Sequence, residues 1–215
     1  MYKNYFKRFL DFSIALILFL VLSPIFAILC LLLFFTNKGA GVFFLQERPG
    51  KNGKSFKVIK FKSMTNETDS NGNLLPDIER LTRIGLFIRS TSLDEIPQLL
   101  NVLRGDMSLI GPRPLLLEWL PLYDKQSFRR HEVKPGITGW AQIHGRNELK
   151  YSEKFALDVW YVDHLSFLLD LKILLLTIKK VIQRSDVGHG NENDDDVDDL
   201  HFADRLKELN SINKK

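Results

Sequence analysis

Cysteine is almost absent: Cys30 is the only one in 215 residues. A single thiol inside an apolar run excludes a disulfide framework and points to a reducing compartment for the soluble part of the chain. Several enzyme signatures are missing too. There is no G-x-x-x-x-G-K-[ST] loop, no G-x-G-x-x-G, no H-E-x-x-H and no G-x-S-x-G, which removes the P-loop, dinucleotide, zinc-protease and nucleophile-elbow readings. The five histidines, His131, His144, His164, His189 and His201, lack metal-ligand spacing. Basic residues are dispersed through apolar stretches with no aromatic–basic stacking strip, so nucleic acid is not the expected partner. No internal repeat is present.

Acidic charge is thin outside one region. The net charge is +4, yet residues 186–215 hold nine acids and four bases, which leaves +9 on residues 1–185. A basic body suits anionic partners such as phospholipid head groups, nucleotides or phosphorylated substrates. The segment "NENDDDVDDL" reads as solvated and disordered; its Asp-x-Asp spacings are a weak metal signal in so biased a stretch.

What the chain does have is one long apolar run. Residues 12–35, "FSIALILFLVLSPIFAILCLLLFF", carry no charged side chain, and at about 1.5 Å per residue they match a hydrocarbon core of about 30 Å. No small-x-small cleavage site follows, so a cleaved signal peptide is not expected. Ser23-Pro24 stands at the midpoint, where Pro24 removes a backbone hydrogen bond that Ser23 can compensate through its hydroxyl. Lys3, Lys7 and Arg8 precede the run, and Lys38, Arg48, Lys51 and Lys54 follow it. Basic flanks on both sides select no inside. A helix–break–helix that dips in and returns keeps both flanks cytoplasmic; a straight span is the alternative.

Beyond it, strands near 42–47 and 55–63 flank the turn-forming "PGKNGK" and predict a hairpin. Phe56 and Val58 point one way, Ile59 and Phe61 the other, which requires a bulge or burial on both faces. Lys60 and Lys62 share a face, either a solvated edge or a phosphate-facing one. A loop over "NETDSNGNLLPD" leads to a helix over 77–89, then one over 93–104 that stops at Gly105. "HLSFLLDLKILLLTIKKVIQR", interrupted by Asp170 and Lys172, suits a helix lying on a membrane surface or packed on the core. "LLLEWLPLYDKQSF", with Trp119 and Tyr123, has interfacial character as well.

The sharpest stretch is "RSTSLDEIPQLLNVLRGDMSLIGPRP", residues 89–114. Ser92 followed by Glu95 matches a capping box, which would make the acids mere helix-end chemistry. The other reading makes Asp94 and Glu95 a reactive pair. A carboxylate can attack phosphorus and form an acyl phosphate, splitting one displacement into two. Such chemistry needs a Mg²⁺ ligand close by and fixed cations around the phosphoryl oxygens. Arg113 is held between two prolines in "GPRP", and "KPGITGWAQIHGRN" places Lys134 and Arg146 in a glycine-rich loop suited to anions. Arg89 precedes Asp94 by five residues.

These same residues carry a family resemblance. The block from Arg89 to Pro114, the upstream "KFKSM", the downstream "KPGITGWAQIHGRN" and Ser23-Pro24 together resemble the bacterial monotopic phosphoglycosyl transferases, over about residues 1–185. The chain looks like the small members that consist of little more than the catalytic domain. The resemblance implies Mg²⁺-dependent transfer of sugar-1-phosphate from a UDP-sugar to polyprenyl (undecaprenyl) phosphate through a covalent intermediate, with release of UMP. It implies Asp94 as nucleophile, Glu95 as metal ligand, and Arg89, Arg113 and Arg146 among the phosphate binders, with Lys60 and Lys62 as further candidates. It also implies the cytoplasmic face of a bacterial inner membrane, with membrane lipids as partners.

The expected fold class is therefore an α+β membrane protein. A re-entrant membrane helix with a Ser23-Pro24 break covers 1–38. A compact, mostly helical catalytic domain with a small β-hairpin and interfacial amphipathic helices covers 39–185, and an acidic, disordered tail covers 186–215. Two other classes compete, a membrane-anchored scaffold or binding protein and a polyprenyl phosphatase. The sugar is not legible, and a homo-oligomer stays open.

Overall fold

A computed structural model describes residues 2–145, 149–183 and 197–212. After a π-helical turn at Tyr2–Phe6, helix α1 runs without interruption over Lys7–Thr36. The helix–break–helix expected at Ser23-Pro24 is thus one continuous helix carrying the proline. Pro24 has no N–H for the carbonyl four residues back, at Leu20. Ser23 Oγ donates to that carbonyl at 2.7 Å, so the acceptor is satisfied inside the helix. Only 11% of the most apolar stretch of α1 is buried, and Ile17, Leu20, Val21, Ile28 and Leu31 face outward. The helix is long and apolar enough to cross a membrane.

Both ends of α1 are nevertheless tied to one body. Near its start, Arg8 donates to the carbonyls of Val102 and Leu103 in the last turn of a helix. Lys7 Nζ lies 2.6 Å from Asp170, which also accepts from Tyr2 and Tyr161 at 2.6 and 2.7 Å. Asp11 accepts from Ser108 Oγ at 2.7 Å. Just past the other end, Asn37 Nδ2 donates to the Gly41 and Lys62 carbonyls, both at 2.8 Å. Phe26 packs on Phe61 with ring centroids 5.1 Å apart.

The predicted hairpin forms. Strand β1, Phe43–Pro49, pairs antiparallel with β2, Ser55–Phe61, in a regular register from Phe43 opposite Phe61 to Pro49 opposite Ser55. There is no bulge; Val58 and Ile59 are both buried, so both faces of β2 are covered. The single helix expected over 77–89 is two, α2 over Asp77–Arg80 and α3 over Arg83–Ser90. Thr82 divides them because its Oγ1 accepts from Gly85 N at 2.8 Å as an N-cap, while its own N–H bonds the Ser63 carbonyl at 3.2 Å.

Helix α4, Gln98–Arg104, ends at Gly105 as predicted. It is sewn to β2 by Asn101, which accepts from Ile59 N at 3.0 Å and donates to the Lys57 carbonyl at 2.7 Å. Two strands that sequence reading missed, β3 over Ser108–Ile110 and β4 over Gly136–Thr138, pair in parallel. Helix α5 covers Lys125–Phe128. Helix α6, Trp140–Gly145, takes up part of the segment expected to be a glycine-rich loop. Helix α7, Tyr151–His164, is followed by α8, Phe167–Gln183. α8 buries Leu169, Asp170 and Ile173 and exposes Leu168, Leu171, Leu175, Ile178 and Val181, an apolar outer stripe.

The acidic segment departs from expectation. Helix α9, Phe202–Ile212, is ordered and packed. Asp198 caps it, accepting from Phe202 N and Ala203 N at 2.9 Å. Phe202, 1% exposed, inserts among Trp119, Tyr123, Tyr151 and Phe155. Trp119 and Tyr123 thus pack, partly buried, against a second core. The expected disorder of 186–215 is replaced by folded chain over 197–212; residues 186–196 and 213–215 lie outside the described residues.

Candidate active site

Asp94 and Glu95 lie in a tight turn, Leu93–Glu95, between α3 and α4. The capping box does not form. Ser92 is left-handed (φ 56°, ψ 18°) and makes no side-chain cap bond, whereas an N-cap residue is extended. α4 begins only at Gln98, so the acids stand ahead of the helix and not in its first turn, as the helix expected from 93 would have it. Holding a serine left-handed costs on the order of 1 kcal/mol. That strain sits beside the two acids.

Both carboxylates meet cations supplied by other elements. Strand alternation turns Lys60 toward the turn, with Nζ 2.9 Å from Glu95 Oε1 and 3.7 Å from Asp94 Oδ2. Arg113 Nη2 reaches Glu95 Oε1 at 2.7 Å. Burial by itself would push the Glu95 carboxyl up, but Arg113 and Lys60 outweigh it and hold the group well below the usual carboxylate range. Asp94 shifts the other way: burial raises it, Lys60 opposes this, and the adjacent Glu95 charge adds to it. Neighbouring acids whose environments drive them apart take different roles. Glu95 is a locked charge; Asp94, with one longer contact, is the less committed of the two.

Arg113 is aimed by its backbone. Gly111 N donates to the Thr138 carbonyl at 2.9 Å and Gly136 N to the Pro112 carbonyl at 3.0 Å. This crossing is close: a Cβ on Gly136 would stand 2.1 Å from Gly111 N. Arg130 Nη2 holds the Arg113 carbonyl from behind at 2.8 Å. Arg89 arrives by a second close approach. A Cβ on Gly85 would lie 1.9 Å from the Ser63 carbonyl oxygen, so α3 presses on the chain after β2 and Arg89 Nε donates to Ser63 Oγ at 2.8 Å.

The structure thus brings Asp94, Glu95, Lys60 and Arg113 into contact and places Arg89 on the wall of the same cavity, of about 780 Å³. Lys62 lines that cavity too, but its ammonium bonds the Ala40 carbonyl at 3.0 Å and Asn66 at 2.7 Å instead of the acids. Arg146 lies outside the described residues. Sequence reading missed Arg48, Gln98 and Gln142, which also line the cavity. It missed a second, more apolar cavity of about 410 Å³ as well, lined by Leu18 and Leu22 of α1 and Thr177 and Val181 of α8. Ser92, Glu95, Arg113 and Gln142 border both.

Among the described residues no cluster of three or more His, Cys, Asp or Glu side chains exists that would cage a metal. Mg²⁺ does not require one: it keeps several waters and binds through one or two carboxylates plus substrate phosphates. Adjacent carboxylates at a cation-lined cavity fit that mode of binding. Both ion pairs of Glu95 fall on Oε1.

The sequence model described as bacterial sugar transferase matches residues 2–184. An uncharacterized sugar transferase, EpsL, of Bacillus subtilis (strain 168) is 54% identical over 185 residues, covering 86% of this chain and 91% of that one. An undecaprenyl-phosphate glucose phosphotransferase of Komagataeibacter xylinus is 41% identical over 194 residues, 82% of this chain and 36% of that one. A UDP-glucose:undecaprenyl-phosphate glucose-1-phosphate transferase of Klebsiella pneumoniae is 42% identical over 185 residues, 81% of this chain and 40% of that one. Helix α9 lies beyond the matched residues.

Proposed function

The chain belongs to the bacterial sugar transferases, and on that premise we propose that it moves sugar-1-phosphate from a UDP-sugar to undecaprenyl phosphate and releases UMP, initiating a bacterial glycoconjugate. The observation that carries this reading is the asymmetry of the acid pair at the junction of two cavities. Glu95 is fixed by Arg113 and Lys60, while Asp94 is held only at 3.7 Å. One adjoining cavity is rich in cations and the other is largely apolar.

In the first step Asp94 forms a bond to the phosphorus that carries the sugar. The bond from that phosphorus to the bridging oxygen breaks, and UMP departs with the oxygen and its electron pair. In the second step a phosphate oxygen of the lipid attacks the same phosphorus and the Asp94 carboxylate is released. Lys60, Arg89 and Arg113 supply fixed positive charge for the phosphoryl oxygens. Glu95 would hold Mg²⁺, with the diphosphate as co-ligand; when bound, the ion neutralises phosphate charge. The apolar cavity beside α1 and α8 would admit the start of the polyprenyl chain.

The test is a screen for UMP release over a panel of UDP-sugars with undecaprenyl phosphate and Mg²⁺. UMP released in step with lipid-linked sugar phosphate supports transfer. A polyprenyl phosphatase would liberate inorganic phosphate and no UMP, and a scaffold would yield neither.

We propose further that α1 dips into the cytoplasmic leaflet and does not span the inner membrane. Arg8 and Asn37, at opposite ends of α1, both bond to the same body. A 30-residue helix is about 45 Å long at 1.5 Å per residue, so a span would carry one anchor across the bilayer. Cysteines at Lys3 and Lys38, in a Cys30→Ser background, should both resist an impermeant thiol reagent in intact cells. Labelling at position 3 from outside contradicts the re-entrant arrangement.

A further inference from the structure

The hairpin face that carries Lys60 also carries a cation with no role in the steps above. In the antiparallel register Phe44 stands opposite Lys60, Gln46 opposite Val58 and Arg48 opposite Phe56. Residues directly opposite share a face, and residues two apart in a strand share it again. Gln46 and Arg48 therefore join Lys60 on the wall of the larger cavity. Arg48 stands about 13 Å further along the sheet than Lys60 at about 3.3 Å per residue.

Charge on that wall is unbalanced. Six cationic side chains line the cavity against three carboxylates, Asp77, Asp94 and Glu95. Lys60 and Arg113 share Glu95, and Arg80 is taken by Asp77 at 2.6 Å. Arg48 Nη2 donates instead to neutral Gln46 Oε1 at 2.6 Å; the Glu118 charge acts on it without a direct ion pair among the described residues. Burial and the neighbouring Arg113 charge push Arg48 down to about 10. A partly desolvated guanidinium that lacks a direct ion pair and lies beside a second cation is stabilised when an anion comes between the two.

We infer that Arg48, oriented by Gln46, is a second diphosphate anchor that works with Arg113 and grips the phosphate leaving with the nucleoside. This rests on the cavity's being the nucleotide-sugar site. Because UMP has departed before the lipid reacts, Arg48 acts on the first half-reaction and not on the second.

The test uses the full chain in nanodiscs, with inorganic pyrophosphate as the probe for calorimetric binding. Loss of a charge-assisted, bidentate contact should weaken pyrophosphate binding by about tenfold or more in Arg48→Gln. Arg48→Lys keeps the charge but loses the fork and should weaken it by about threefold. In turnover, Arg48→Gln should raise KM for the UDP-sugar, whereas transfer from sugar-phosphate-loaded enzyme to lipid keeps its wild-type rate. A merely structural role would slow both halves. Unchanged pyrophosphate affinity in folded Arg48→Gln, no pyrophosphate binding by the wild-type chain, or equal slowing of both halves overturns the inference. If Arg48→Gln does not fold, Arg48→Lys decides: wild-type affinity in that variant overturns the inference in the same way. Pyrophosphate binding that depends on Arg48, in a chain that releases no UMP from any UDP-sugar, would refute the transferase reading and leave the anion site standing.

Discussion

Asp94→Asn is expected to abolish the proposed covalent intermediate and to reduce transfer on the order of 10³-fold or more, because an amide is not a competent nucleophile toward phosphorus. The fold should survive, since Lys60 keeps its 2.9 Å contact with Glu95. Glu95→Gln should behave differently. It removes the charge that Arg113 and Lys60 share and weakens the proposed Mg²⁺ site, while the attacking group stays in place. Transfer should slow, and excess Mg²⁺ should restore part of it. Rescue of Asp94→Asn by excess Mg²⁺, with Glu95→Gln refractory, would reverse the two assignments.

Arg130→Met carries the largest expected effect on stability. Arg130 and Asp158 are 3% and 2% exposed, and the guanidinium reaches Asp158 at 3.0 and 2.6 Å. It also donates to Tyr123 Oη at 3.1 Å and to the Arg113 carbonyl at 2.8 Å, and stacks 5.0 Å over the Phe155 ring. Removing one partner of a buried ion pair leaves an uncompensated charge, a loss of about 3–5 kcal/mol. The double variant Arg130→Met/Asp158→Leu removes both charges and should recover most of that stability. Its activity should stay low, because the Arg113 backbone has lost its donor. Denaturant unfolding in detergent measures the first effect, and UMP release the second. A wild-type unfolding midpoint in Arg130→Met would show that the pair does not brace the site.

The acid pair, the proline-flanked Arg113 and the long apolar run are legible because each is a local pattern with a chemical reason. Ser23 is legible too: the carbonyl freed by Pro24 is fixed by counting four residues back. The capping box misleads because S-x-x-E says nothing of backbone, and Ser92 is left-handed. Pairing of β3 with β4 is hidden because three-residue strands show no alternation and their partners lie far apart in sequence. The ties from Lys7 to Asp170 and from Asp11 to Ser108 depend on the tertiary fold and leave no sequence signal. Helix α9 did leave one, since Phe202, Leu206 and Leu209 follow helical spacing. The acids around them turned a compositional reading toward disorder. Arg48 was equally within reach, because the alternation that put Lys60 and Lys62 on one face applies across the strand pair.

The covalent mechanism is tested most directly by a rapid-quench measurement of wild-type enzyme with its UDP-sugar and Mg²⁺ but no lipid. If Asp94 takes up the sugar phosphate, UMP appears in a burst of at most about one equivalent per enzyme, and the protein gains the mass of a sugar phosphate. If the lipid instead attacks the bound UDP-sugar directly, with Asp94 merely near the metal, the same enzyme releases no UMP until undecaprenyl phosphate is added, and that result contradicts the covalent mechanism.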